Sequence, residues 1–272
     1  MPFSLPLPSL LRFQRPLLLL PALLFLSACG GLAIDTSHTA VGQDSRVQFV
    51  VLHYTSSDFS KSLRTLTRGE VSSHYLIAQQ PPKIYRLVDE DRRAWHAGDS
   101  QWRGRTWLNS SSIGIELVNP GYRDTPQGRI WYPYAQEQIE LLVALLGDIA
   151  RRHQLAPINI VGHSDIAPQR KVDPGPLFPW LRLAEAGLIV WPDAAQVAAR
   201  QTEFSAELPD ALWFQQQLAE VGYPIAFTAE FDEQTRNVLA AMQMKYRPAR
   251  HDGTADAESA AILSVLVAKL AQ

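Results

Sequence analysis

His53 and His163 each close an apolar run, residues 47–54 and 158–163, where the chain leaves the core. Runs of this kind read as buried strands, so two neutral imidazoles would stand at strand ends, within reach of one divalent ion. A satisfied core histidine is the commoner outcome, and the pair alone decides nothing. His38, His153 and His251 have bland readings, His153 as a cation suited to a helix C-terminus.

The segment after His163 adds what the pair lacks. In Gln169-Arg170-Lys171-Val172-Asp173-Pro174-Gly175, an extended chain carries Lys171 and Asp173 on one side. Asp173 offers a third ligand. Two imidazoles, a carboxylate and one open position describe a catalytic zinc site rather than a closed structural one. Lys171, otherwise a surface lysine, would face the same space and could stabilise an oxyanion.

Such a site needs a base. Residues 112–118 alternate, with Ile113, Ile115 and Leu117 on one face and Gly114, Glu116 and Val118 on the other. Glu116 is a lone carboxylate on an apolar strand, costly to bury without a purpose, and reads as the general base. Gly114, beside it, would leave room for a substrate amide.

The elements that must position these groups follow from the same patterns. Residues 47–54, 74–78, 84–88, 112–118 and 158–163 read as strands, the last of them central, with Pro81-Pro82 as a breaker between the second and third. Gln136 to His153 is a helix, with Ile139, Leu142, Val143, Leu146 and Ile149 at helical spacing. This predicts one α/β domain over residues 46–195. Beyond Trp191-Pro192 the composition shifts to Ala, Gln and Glu, and three helices are expected at residues 211–221, 233–246 and 257–271. They make a small all-α domain at residues 205–272, near the lower size limit for independent folding.

Several motifs together resemble one family. His53-Tyr54-Thr55, Ser73-His74-Tyr75-Leu76-Ile77, Trp95-His96-Ala97-Gly98, Ser112-Ile113-Gly114-Ile115-Glu116, Gly162-His163-Ser164-Asp165-Ile166-Ala167-Pro168 and Arg170-Lys171-Val172-Asp173-Pro174-Gly175-Pro176 are similar to the amidase-2 group of N-acetylmuramoyl-L-alanine amidases. Within it, they resemble the lipoprotein amidases of Gram-negative outer membranes. The likeness runs from Val47 to the chain end.

The resemblance implies a central mixed β-sheet flanked by helices, and a C-terminal domain of peptidoglycan-binding type. It implies one Zn2+ per chain on His53, His163 and Asp173, with Glu116 as base and Lys171 near the oxyanion. Tyr54, Thr55, Trp95 and His96 are then expected to line the substrate groove. The implied reaction is hydrolysis of the amide between N-acetylmuramic acid, or its anhydro form, and the L-alanine of peptidoglycan stem peptides. Phage-type relatives carry cysteine at the position of Asp173 and a tyrosine at that of Ser73. The base role therefore falls to Glu116, and His74 reads as a structural hydrogen-bonder.

Two rivals are weaker. A non-catalytic muropeptide receptor on this fold would lack a ligand, and this chain keeps three and an acid. A serine hydrolase using Ser164 would need its side chain and that of His163 on one face, whereas neighbours on a strand point oppositely. No Gly-x-Ser-x-Gly elbow frames Ser164 either.

The first 28 residues form a signal peptide, with Arg12 and Arg15 ahead of the apolar run from Leu17 to Leu26. Leu26-Ser27-Ala28-Cys29 resembles a bacterial lipobox and contains the chain's single cysteine. Cys29 is the expected lipid anchor, with more than one acyl tail for stable attachment, and residues 29–45 form a tether. Gly30 after it favours the outer membrane, facing the periplasm. A net charge of -2 with scattered Lys and Arg excludes a nucleic-acid footprint. The expected partners are peptidoglycan, muropeptides and, through the lipid, the membrane.

Overall fold

A five-stranded sheet in the order β3-β2-β6-β1-β9 organises the molecule. Its strands are β1 (Phe49–Tyr54), β2 (Tyr75–Gln79), β3 (Pro82–Arg86), β6 (Ser112–Leu117) and β9 (Ile160–Gly162). The computed structural model describes residues 1–4, 32 and 34–272; Cys29 and the expected signal peptide lie outside them, apart from residues 1–4. The described chain divides into Met1–Gln43 and the compact unit Asp44–Gln272.

β1 runs parallel to both β6 and β9, β2 parallel to β6, and β3 antiparallel to β2. The sheet is therefore mixed, as expected. All six residues of β1 are buried, consistent with a strand covered on both faces. The expectation that residues 158–163 form a central strand is not met. β9 is an edge, and β1 and β6 hold the middle. An apolar run reports burial of both faces but not lateral position; the edge of β9 is short, as edge strands commonly are.

Two small ribbons, β4 (Gln101–Trp102) with β5 (Arg105–Thr106) and β7 (Tyr122–Thr125) with β8 (Gly128–Trp131), were not foreseen. Nor was helix α1 (Phe59–Arg68), whose buried residues are only Ser62 and Leu66. Asp58 caps it, accepting from the Lys61 N–H at 2.9 Å. Helix α2 (Gln136–His153) keeps its predicted bounds.

One face of the sheet carries Val50, Leu52, Ile113, Ile115 and Ile160 in a core with Ile139, Leu142, Leu146 and Ile149 of α2. On the other face, Phe49, Val51 and Val161 join a cluster with Phe214, Leu218, Val238, Leu239, Met242 and Leu263. These come from α6 (Ala211–Val221), α7 (Glu233–Tyr246) and α8 (Ala257–Leu270), the three helices expected there. Short helices α3 (His163–Ile166) and α4 (Trp180–Glu185), and the unforeseen α5 (Ala194–Ala206), complete the chain. The C-terminal helices thus contribute to a core shared with the sheet. The face that bears Val51 also bears His53 two residues on, where the sheet surface gives way to a cleft.

Candidate active site

Parallel pairing places His53 directly opposite Glu116 on β6, so both side chains leave the same face. Leu76 on β2 flanks Glu116 from the other side. His163 follows β9 and opens α3, with Gly162 as the cap. Gly162 accepts a tight approach: a Cβ there would lie 2.7 Å from Pro174 Cδ. Asp173 is fastened by its own backbone, its carbonyl accepting from the Ser164 N–H at 2.8 Å. The next carbonyl, of Pro174, accepts from the Tyr134 hydroxyl at 2.8 Å. Three separate chain segments therefore converge on one point.

The convergence is close. His53 Nδ1 lies 2.9 Å from His163 Nδ1 and 3.0 Å from Asp173 Oδ2, and His163 Nδ1 lies 3.1 Å from the same oxygen. Tetrahedral zinc with bonds of about 2.0–2.1 Å sets its ligand atoms about 3.3 Å apart, so the three atoms sit slightly inside the spacing of a filled site. His163 Nε2 donates to the Ala97 carbonyl at 3.1 Å, which leaves Nδ1 with a bare lone pair facing the cluster. Two imidazole nitrogens and a carboxylate, with an outer hydrogen bond fixing a tautomer, fit a divalent ion of the zinc type. Among the described residues, His53, His163 and Asp173 form the only group of three or more potential ligands close enough to hold a metal.

Electrostatics agree with an acceptor-rich pocket. Burial, with His163 alongside, pushes His53 down to about 4. Glu116 moves the other way. Burial first, then the charge of Asp173, pushes it up to about 8, against the pull of Lys171. Its Oε2 is buried without a hydrogen-bond partner, which marks an atom poised for something other than the fold.

A cleft of about 390 Å³ opens over these groups. Glu116, Lys171, Tyr54, Thr55, Trp95 and His96 all line it together with the three candidate ligands. Every site residue expected from the sequence, Cys29 apart, is thus brought to one place. Trp95 is half exposed at the rim, with the Arg93 guanidinium 4.1 Å from its ring centre. Ser164 is buried and is not among the cleft-lining residues, which removes the geometry a serine nucleophile needs.

One expectation is overturned. The space over Gly114 is not free for a substrate amide, because the His96 imidazole fills it: a Cβ at 114 would lie 2.4 Å from His96 Cγ. His96 Nδ1 in turn lies 3.1 Å from His53 Nε2. Its loop is held by Asn109, whose Oδ1 accepts from the His96 and Ala97 N–H groups at 3.0 and 2.8 Å. Sequence patterns missed Asn109, since nothing in the polar run Asn109-Ser110-Ser111-Ser112 singles out the side chain that takes two backbone partners. His74 is the structural hydrogen-bonder expected, fully buried. Its Nε2 donates to the Arg92 carbonyl at 3.1 Å and its Nδ1 accepts from the Gly114 N–H at 3.0 Å.

Comparison with known proteins places this geometry in company. Residues 43–176 match the family model of N-acetylmuramoyl-L-alanine amidases, and residues 207–263 match that of a peptidoglycan binding domain. Over 270 residues the chain is 42% identical to the N-acetylmuramoyl-L-alanine amidase AmiD of Escherichia coli, covering 93% of this chain and 98% of that one. The structure of that amidase with the substrate anhydro-N-acetylmuramic acid-L-Ala-D-gamma-Glu-L-Lys superposes with a TM-score of 0.80 at 41% identity, over 88% of this chain and 95% of the other. AmpDh3 of Pseudomonas aeruginosa superposes at 0.83 with 39% identity, over 89% of this chain and all of its own.

Proposed function

Since the chain belongs to the N-acetylmuramoyl-L-alanine amidase family, we propose that it is a zinc-dependent enzyme of peptidoglycan turnover that releases stem peptides from N-acetylmuramic acid and its anhydro form. The observation that carries the reading is the convergence of His53, His163 and Asp173 within 3.1 Å of one another in the cleft that Glu116 and Lys171 also line. The Escherichia coli relative binds an anhydromuramyl tripeptide as substrate, and the same linkage suits this cleft.

His53, His163 and Asp173 would hold the ion. Bound there, zinc would supply Lewis-acid polarisation and positive charge beside Glu116. Glu116 then accepts the proton of the attacking water and returns it to the departing alanine amine. Lys171, which also lines the cleft, offsets negative charge building on the lactyl carbonyl oxygen. Trp95, half exposed, lines the cleft with Tyr54 and Thr55 and offers an apolar surface for the sugar or peptide.

Location belongs to the same proposal. Cys29 within Leu26-Ser27-Ala28-Cys29 is the site of lipid attachment, residues 29–45 form the tether, and the enzyme faces the periplasm from the outer membrane. Residues 46–195 hold all the proposed catalytic groups, and residues 205–272 are the segment of peptidoglycan-binding type. Cys29→Ser should move the protein from floated membrane fractions to the soluble or unprocessed pool; wild type recovered soluble would count against the anchor.

The deciding experiment digests a defined anhydromuramyl tripeptide and intact sacculi with the purified protein and identifies products by mass spectrometry. Free anhydromuramic acid and a peptide beginning with L-alanine are expected, with loss of activity in chelator and recovery on adding zinc. Cleavage at another bond, or full activity in chelator, would overturn the proposal.

A further inference from the structure

We infer that His96 is a positioning residue, which with Ser112 fixes the tautomer of His53 so that Nδ1 presents a bare lone pair to the metal. The inference deepens the metal reading above and rests on it for its consequence, though not for its geometry.

The chain of hydrogen bonds has one direction because its last member can only accept. The Ser112 hydroxyl donates to the Leu108 carbonyl at 2.6 Å, and a hydroxyl has one proton to give. Ser112 Oγ, 3.2 Å from His96 Nε2, must therefore accept there, so His96 carries its proton on Nε2. Its Nδ1 is then an acceptor, 3.1 Å from His53 Nε2. His53 consequently donates from Nε2, and its Nδ1, 3.0 Å from Asp173 Oδ2 and 2.9 Å from His163 Nδ1, has no proton. The lone pair of His163 Nδ1 is bared in parallel through the Ala97 carbonyl. Three acceptors then face one another with no proton among them, an arrangement that a cation completes.

The supporting parts are rigid. Ser112 is buried, and it opens β6 opposite Phe49. Gly114, lacking a side chain, leaves room for the imidazole, and Asn109 ties down the N–H groups on both sides of the His96 Cα. A ligand's outer hydrogen-bond partner orients the ring and raises its basicity, and losing one costs about 10–100-fold in metal affinity. Here the partner is an imidazole rather than a carboxylate or a carbonyl, so its own direction has to be set by a further group. That group is the serine.

Two measurements test this. Long-range proton–nitrogen spectra of the metal-free protein, with histidine nitrogens labelled, should show His53 protonated on Nε2; a proton on Nδ1 overturns the inference whatever the metal does. Zinc dissociation constants, from competition with a chromophoric chelator, should rise about 10–100-fold for Ser112→Ala and for His96→Leu. Ser112→Thr, which keeps the hydroxyl, and His96→Asn, which keeps an acceptor near the Nδ1 position, should stay within a few fold of wild type. If His96 instead only contacts substrate, both losing variants would bind zinc normally and raise KM for the muramyl peptide, and the inference would fall. Failure of the wild-type chain to bind zinc would sink the metal reading alone, since the tautomer is read without metal.

Discussion

Lys245 Nζ lies 2.9 Å from Asp165 Oδ2, and the two side chains are 3% and 1% exposed. The pair joins α7 to α3, two residues beyond His163. Asp165 is fully engaged: Oδ2 also accepts from the Gly162 N–H at 2.8 Å, and Oδ1 accepts from the Tyr223 hydroxyl at 2.9 Å. Removing one member of a buried pair strands the other, at a cost of about 3–5 kcal/mol. Lys245→Met should therefore destabilise the protein by about that much in denaturant unfolding. Lys245→Met with Asp165→Asn should lose less than the sum of the single variants, and strict additivity would show that the pair is not coupled.

Truncation follows from the same contact. A chain ending near Ala195 keeps every proposed catalytic residue. It strips Phe214, Leu218, Val238, Leu239 and Met242 from the core they share with Phe49, Val51 and Val161. Exposed apolar surface on that scale invites association. We expect the shortened protein to aggregate or melt well below the full chain by calorimetry; an unchanged melting temperature would mean the helices are a detachable module.

Base and ligands are separable. Glu116→Gln keeps shape but cannot take a proton, so it should retain zinc by elemental analysis and lose about 10²–10⁴-fold in turnover. Lys171→Ala should also retain zinc and slow the reaction, through weaker stabilisation of the oxyanion. A Glu116→Gln protein without zinc would make Glu116 part of the metal's support instead.

Metal binding should report as stability. Zinc at 100 times its dissociation constant adds about 2.7 kcal/mol and should raise the melting temperature of the wild type. Asp173→Ala, lacking the oxygen that both histidines approach, should show almost no shift over the same zinc range. An equal shift would place the ion elsewhere.

Acid sensitivity has a defined source at Glu90. Burial works against its charge, but hydrogen bonds from Arg152, Tyr75 and His153 prevail and bring it down to about 2. A carboxylate with a depressed folded pKa stabilises the fold above its unfolded value, about 4.3, and loses that contribution as pH falls through the folded one. Glu90→Gln should thus melt below wild type at pH 7, with the gap closing between about pH 4 and pH 2. A constant gap across that range would assign the effect to packing.

The sequence made some of this legible and hid the rest for physical reasons. Helix α2 declares itself because Ile139, Leu142, Leu146 and Ile149 repeat at helical spacing and are buried. Helix α5 has no fully buried residue and meets the core only through the partly buried Val197 and Phe204, too thin a stripe to stand out in the sequence. Glu116, His53 and His163 were visible as polar residues interrupting or closing apolar runs. Lys245 and Asp165 were not, because charged residues 80 apart look like ordinary surface until a fold brings them together. His96 shows the same limit at closer range. Its place in the cleft could be expected, but its engagement by His53 and Ser112 depends on which residue lacks a side chain at position 114.

That missing side chain has a consequence for assembly. Gly114 pairs with Val51, and the notch it leaves is shaped for one imidazole. A β6 strand docked one residue out of step would turn its other face to the cleft; docked two out, it would bring Ser112 or Glu116 beneath His96. Neither gives the ring a seat, so His53 would lose the partner on its Nε2 and the metal affinity proposed above would fall. The glycine acts as an indexing mark for strand register, and the strength of the proposed metal binding would report whether β6 has docked in step.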